Sequence, residues 1–252
     1  MSLFGNIEET KDIQESGDRL GGGGVLSSNV YEFNIDMAYV QPAQSGALGV
    51  VLSLSTPAGQ KLRTTQYITS GTAKGGKNYY ERNGEKRYLP GYELINDLCL
   101  LITNQNLTSL ENNIEEKLVP IWNFDANGEV PTKVPVIMPL LNTKVKAGVL
   151  QVLEDKKQKG DDGNYHPTGE TRESNEVNKF FHAETGLTVT EARAGLEKGE
   201  FIDSWLDRNL DRVVDKTNKT AGSTAGAPKP LMGAGKATTP AASSRPSLFP
   251  TK

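Results

Sequence analysis

A chain of 252 residues, 36% of them hydrophobic, can bury one sizeable core, while 26 glycines and 13 prolines leave part of it too loose to join. The net charge of −3 is uneven: no acidic residue follows Asp215, and Lys216, Lys219, Lys229, Lys236, Arg245 and Lys252 give the last 37 residues +6, against 22 basic and 31 acidic residues before them. No apolar run approaches a membrane span and no secretory leader is seen, so the expectation is a soluble, cytosolic protein with no membrane contact, whose basic tail meets a partner.

Residues 1–24, ending in GGGG, read as a flexible N-terminal arm. In NVYEFNIDMAY the residues Tyr31, Phe33, Ile35, Met37 and Tyr39 alternate with Glu32, Asn34 and Asp36, the period of a half-buried strand. GALGVVLSLST is a second strand, closed by the turn Pro57-Ala58-Gly59, and KLRTTQYITS a third. Alternation puts Lys61, Arg63, Thr65, Tyr67 and Thr69 on one face of the third strand, with Leu62 and Ile68 on the other.

From Gly71 the chain spells Gly-x-x-x-x-Gly-Lys, the opening of a nucleotide phosphate loop. Asn78 then stands where that loop needs the Ser or Thr that ligates magnesium. Beyond it, an Asn83-Gly84 turn between tyrosines predicts a hairpin where the nucleotide motif needs a helix. The nucleotide reading therefore fails. Between Lys61 and Tyr92 there remain seven basic residues (Lys61, Arg63, Lys74, Lys77, Arg82, Lys86, Arg87) against Glu81 and Glu85, and five of the eight tyrosines: Tyr67, Tyr79, Tyr80, Tyr88 and Tyr92. Cations neutralise phosphates and aromatic faces stack on unpaired bases, so the candidate nucleic-acid contacts are Lys61, Arg63, Tyr67, Lys74, Lys77, Tyr79, Tyr80, Arg82, Lys86, Arg87 and Tyr88. Tyr92, at a helix entry, reads as structural. The competing reading is tyrosines packed on a sheet beneath an ordinary solvated loop.

Helical spacing follows at Leu94, Ile95, Leu98, Leu101 and Ile102, and Thr108 to Glu111 fits a capping box, giving a helical insertion at about 92–115. Cys99 lies in the apolar LINDLCLLI as a buried thiol, unable to form an internal disulfide. KLVPIWNF resumes the strands before a DANG turn; AGVLQVLEDKK and NEVNKFFHA form an antiparallel pair around the polar tip KGDDGNYHPTG. His166 falls in a turn beside Pro167 and His182 ends a strand, both structural. Asp125, Asp155, Asp161, Asp162 and Glu170 read as turn residues, so no metal, cofactor or catalytic group is expected. Residues 187–215 read as helical, with a capping box at Thr188 and Glu191 and an apolar stripe of Phe201, Ile202, Trp205, Leu206, Val213 and Val214. Residues 216–252 lack the composition to fold. The organisation expected is mainly β with α insertions: an oligonucleotide-binding-type small barrel over 25–186, C-terminal helices over 187–215 packed on it or on a partner, and a disordered basic tail.

The segments MSLFGNIEETKD, GVLSSNVYEFNIDMAY, YITSGTAKGGKNYYERNGEKRYLPGYELINDLCLL and ETRESNEVNKFF resemble the single-stranded DNA-binding proteins of tailed-bacteriophage replication modules, over residues 1–215. The resemblance implies a non-enzymatic barrel that coats single-stranded DNA during replication and recombination in an infected bacterial cell, with Lys74, Lys77, Tyr79 and Tyr80 along the strand. Where many such proteins carry an acidic tail, this one is basic and ends SSRPSLFPTK. It either adds DNA affinity, or presents Arg245, Ser247, Leu248, Phe249 and Lys252 to phage replication proteins or, as in some phage proteins of this type, host RNA polymerase. A linker without a partner is the third reading. A strand-annealing recombination protein, which would self-associate, and a virion or interaction protein are the alternatives.

Overall fold

The computed structural model describes residues 24–123, 126–160 and 165–217. Residues 1–23 of the expected arm and nearly all of the basic tail, with Arg245, Ser247, Leu248, Phe249 and Lys252, lie outside the described residues, as do Asp125, Asp161 and Asp162. The described chain is mainly β. Strands β1 (Asn29–Pro42), β2 (Leu48–Ser55) and β3 (Lys61–Tyr67) form an antiparallel meander. The short hairpin β4 (Tyr79–Arg82) and β5 (Glu85–Tyr88) stands apart as its own two-stranded sheet, followed by helix α1 (Pro90–Thr103). A second hairpin, β6 (Ile114–Asn123) and β7 (Gly128–Ile137), precedes the long antiparallel pair β8 (Lys144–Lys159) and β9 (Tyr165–His182). Two short helices, α2 (Val189–Arg193) and α3 (Phe201–Asn209), lead to β10 (Val213–Asp215).

Eight strands share one sheet with β1 at its centre: β8 pairs with its first half, β2 with its second, and β7 touches it at Tyr39. The main core lies between this sheet and α1, where Phe33, Ile35, Leu52, Val145 and Phe180 meet Ile95, Leu98 and Leu101. Burial of each such side chain is worth about 1.5–3 kcal/mol. The sheet is open. β3 and β9 approach within 8 Å, Cα to Cα, but no ladder joins them, so the closed small barrel expected from the sequence is not formed among the described residues. Helix α1 packs on both edge strands instead. It rests on β3 at Gly91, where a Cβ would come within 2.3 Å of the Tyr67 carbonyl oxygen, and is tied to β9 by the Asp97–Lys179 ion pair at 2.9 Å.

Strand β1 departs from its simple alternation. A bulge between Ile35 and Met37 shifts the register, so Phe33, Ile35, Ala38 and Val40 face the main core, while Met37 and Tyr39 face the opposite side. There Tyr39 and Val51 are covered by Val119, Ile121, Val134 and Val136 of the β6–β7 hairpin, which builds a second small core on the outer face of the sheet.

Three other expectations are corrected. Thr108 does not cap a helix: the 3₁₀ turn Leu107–Asn113 begins after Asn106, and the Leu107 amide is taken by the Asn96 side chain of α1 at 3.0 Å. His166 and Glu170 lie in β9 and Asp155 in β8, where turns were expected, because the strands of the β8–β9 hairpin run farther toward its tip than the polar sequence implies. Val213 and Val214 leave the helical stripe for β10, which pairs in parallel with Gln151–Leu153 of β8. The C-terminal segment is thus part of the sheet. Ser28 fastens it: its hydroxyl donates to the Arg212 carbonyl and accepts from the Gln151 amide, and its own carbonyl accepts from Asp211. The Thr188–Glu191 capping box is present as expected, and the second carboxylate oxygen of Glu191 accepts from the Glu200 and Phe201 amides at the start of α3. Trp205 of α3 is buried with its ring on Gly148 and its indole N–H donated to Asn178.

Candidate nucleic-acid interface

The loop that begins at Gly71 is a closed hump. Its amides are already engaged: Thr72 to the Ser45 carbonyl, Lys74 and Gly76 to that of Gly71, Gly75 to that of Thr72, and Lys77 to the Ser70 hydroxyl. A phosphate loop needs those N–H groups free and a helix behind them. Here β4 and β5 follow, turning at Asn83 and Gly84, both with positive φ, the backbone of a tight hairpin turn. The Ser45 contact fixes where the loop sits, since a Cβ on Gly71 would lie 2.8 Å from the Ser45 carbonyl oxygen.

Between this hump, the end of β3 and the start of α1 lies a groove of about 800 Å³, lined by Tyr67, Lys74, Lys77, Tyr79, Tyr80 and Glu81 over a floor of Leu89, Pro90 and Gly91. It brings together five of the eleven residues expected to contact nucleic acid. The tyrosines are not equivalent. Tyr67 is 52% exposed and rests on Gly49 of β2, where a Cβ would meet its ring at 3.4 Å. Tyr80 is 40% exposed. The ring of Tyr79 is capped by the ammonium groups of Lys77 and Lys86, at 5.4 and 5.0 Å from its centroid. Tyr88 packs against Tyr92, centroids 4.9 Å apart, and Tyr92 is buried beneath it as the sequence suggested. Two tyrosines therefore offer open faces in the groove, one holds lysines, and one is half committed to packing.

The other basic residues are dispersed. Arg82 sits in the β4 strand, opposite Glu85, and Arg87 binds Glu85 at 2.9 Å, a hydrogen bond that raises its already high pKa. Lys61 and Arg63 lie at the far end of β3, where the Arg63 guanidinium donates to the Tyr39 hydroxyl at 2.6 Å and lines a separate concavity of about 380 Å³. Sequence reasoning did not find Ser45, whose contribution is a backbone carbonyl, or Gly91, whose role is to have no side chain; the glycine itself was the only available signal.

No family model matches the chain, and no curated protein matches it.

Burial pushes the Cys99 thiol up to about 12, so it is protonated and inert. Burial lowers the pKa of His182, against the pull of Glu184, and its Nδ1 lies 3.0 Å from the Thr185 hydroxyl. Glu170 is held below the usual carboxylate range by its hydrogen bond from Lys156.

Proposed function

We propose that the protein binds single-stranded DNA with little sequence specificity and without catalysis, as its resemblance to phage replication proteins implies. The observation that carries the reading is the groove in which Lys74 and Lys77 stand beside the open rings of Tyr67 and Tyr80. Lysines neutralise phosphates of any sequence, and a tyrosine face accepts any unpaired base, so the mixture favours single strands over duplex. Lys77 and Lys86, resting on Tyr79, are arranged so that phosphates draw them off a ring that keeps them close at hand. The same reading takes the sheet as an oligonucleotide-binding barrel left open between β3 and β9: β1, β2, β3, α1, β8 and β9 occur in the order such a barrel needs, with the β4–β5 and β6–β7 hairpins inserted. In this reading the basic tail serves a partner such as a replication protein or RNA polymerase.

The test is an oligo-dT titration of the full-length chain at two salt concentrations, with duplex DNA as competitor. Binding weakens with salt, and duplex competes poorly. Tyr67→Ala and Tyr80→Ala each weaken binding by about 1–3 kcal/mol, the worth of one stacked base. Equal affinity for duplex and single strand would refute the reading.

A further inference from the structure

Lys61 and Arg63, which the sequence assigns to the same groove as the tyrosines, lie at the opposite end of β3. Lys61, Arg63, Thr65 and Tyr67 all point to the outer face of that strand and all are exposed, and among the described residues β3 has a ladder partner only in β2. The strand thus carries an uncovered track from the tyrosine groove at Tyr67 to the second concavity at Lys61 and Arg63. Six residue steps along a strand span about 20 Å, long enough to carry several nucleotides of a single strand.

The far wall of the second concavity is the β6–β7 hairpin, through Val119, Pro120 and Glu129. Trp122 stands directly opposite Glu129 in the hairpin register, on the same face as Pro120 and Leu118. It is 47% exposed and makes no ring–ring contact among the described residues, while Val119 and Ile121, on the hairpin's other face, fill the second core. Arg63 is held in place by the Tyr39 hydroxyl, which uses one of its five N–H donors and leaves the others for an anion. Asp36, also on the wall, is occupied by the Asn34 and Ser55 side chains.

We propose that a single strand of DNA leaving the tyrosine groove runs along the outer face of β3 and makes a second contact at the β6–β7 hairpin, with Arg63 on a phosphate and Trp122 stacked on a base. This rests on the proposed function and extends its groove by a subsite. A fixed cation on the same strand as the open ring of Tyr67, with an exposed indole paired across the hairpin from Glu129 of the concavity's far wall, suits the alternation of phosphate and base along a polynucleotide. Glu129, beside the ring, opposes the phosphates and limits the affinity of this end.

The chain has two tryptophans, and Trp205 is buried on Gly148, so changes in tryptophan emission report on Trp122. Full-length protein is titrated with labelled oligo-dT of about 4 and about 16 nucleotides, the range of site sizes for such folds, following oligonucleotide anisotropy and tryptophan emission together. The expected result is quenching by the longer oligonucleotide that survives Trp205→Phe and disappears in Trp122→Phe. Trp122→Ala weakens binding of the longer oligonucleotide about five- to a hundredfold and leaves the shorter unchanged. Glu129→Gln tightens the longer one alone, about twofold. Binding of the 16-mer with no change in Trp122 emission and no loss in Trp122→Ala overturns the subsite while leaving the groove intact, and assigns the exposed hairpin face to a protein partner or to none. Equal loss at both lengths also overturns it. Failure of the wild-type protein to bind either oligonucleotide overturns the function itself.

Discussion

Gly91→Ala gives a test whose sign is informative. Gly91 is the second residue of α1, a position where alanine ordinarily favours a helix by up to about 1 kcal/mol over glycine. Its added Cβ would stand 2.3 Å from the Tyr67 carbonyl oxygen and 3.0 Å from that residue's carbonyl carbon and nitrogen, all backbone atoms that cannot swing aside. Carbon-to-oxygen contacts settle at about 3.3–3.6 Å, so helix and strand must part by about 1 Å. Overpacking of that kind costs about 1–3 kcal/mol and outweighs the propensity gain. In urea unfolding the midpoint should fall with m unchanged, and the melting temperature should drop by about 2–8 °C. Because Tyr67 moves with its own backbone, oligo-dT affinity should fall in the folded variant as well. A variant as stable as the parent, or more so, would refute the direct seating of α1 on the last peptide of β3.

Changing Lys77 and Lys86 together to Gln should lower the salt slope of oligo-dT binding by about 1.4, from the single-strand value of about 0.7 per phosphate neutralised; an unchanged slope would mean that these lysines stay on Tyr79 in the complex. Glu191→Gln should destabilise the C-terminal helices by about 1 kcal/mol, measured by thermal unfolding at neutral pH. Burial alone would raise the pKa of Glu191, but hydrogen bonds from the Thr188, Phe201 and Glu200 amides and the Thr188 hydroxyl outweigh it and hold it below the usual range. Its contribution is therefore complete above the ordinary carboxylate pKa and is lost as pH falls through the lower folded value, so parent and Glu191→Gln should converge in acid. Cys99, with its pKa pushed up to about 12, should resist a thiol reagent at pH 8 in the native state and react once urea unfolds the chain.

Local chemistry was legible in the sequence where it depended on neighbours in the chain. The Asn83-Gly84 hairpin, the stripe of α1, the Thr188–Glu191 box and the alternating faces of β3 are each set by residues within a turn or two of one another. What depended on distant partners was not. Nothing near Thr108 announces that Asn96 will take the Leu107 amide, and nothing in the apolar Val213-Val214 pair distinguishes a helix end from an edge strand beside β8. The basic, tyrosine-rich stretch was visible as a composition. Its division was not: whether a tyrosine is open, capped by lysine or packed on another ring depends on cross-strand register and on Gly49, 18 residues before Tyr67.

The bulge at Asp36 carries a consequence for how the β6–β7 hairpin is attached. Side chains along a strand belong to two sets, odd and even, and the extra residue exchanges the sets partway along β1. The attachment is therefore written in parity. Delete that one residue and every side chain from Met37 onward changes sides: Tyr39 turns into the main core, Ala38 and Val40 turn out, and Arg63 loses the hydroxyl that holds it. Not one residue of the hairpin itself would have been altered, yet it would lose Tyr39 from the floor it shares with Val51.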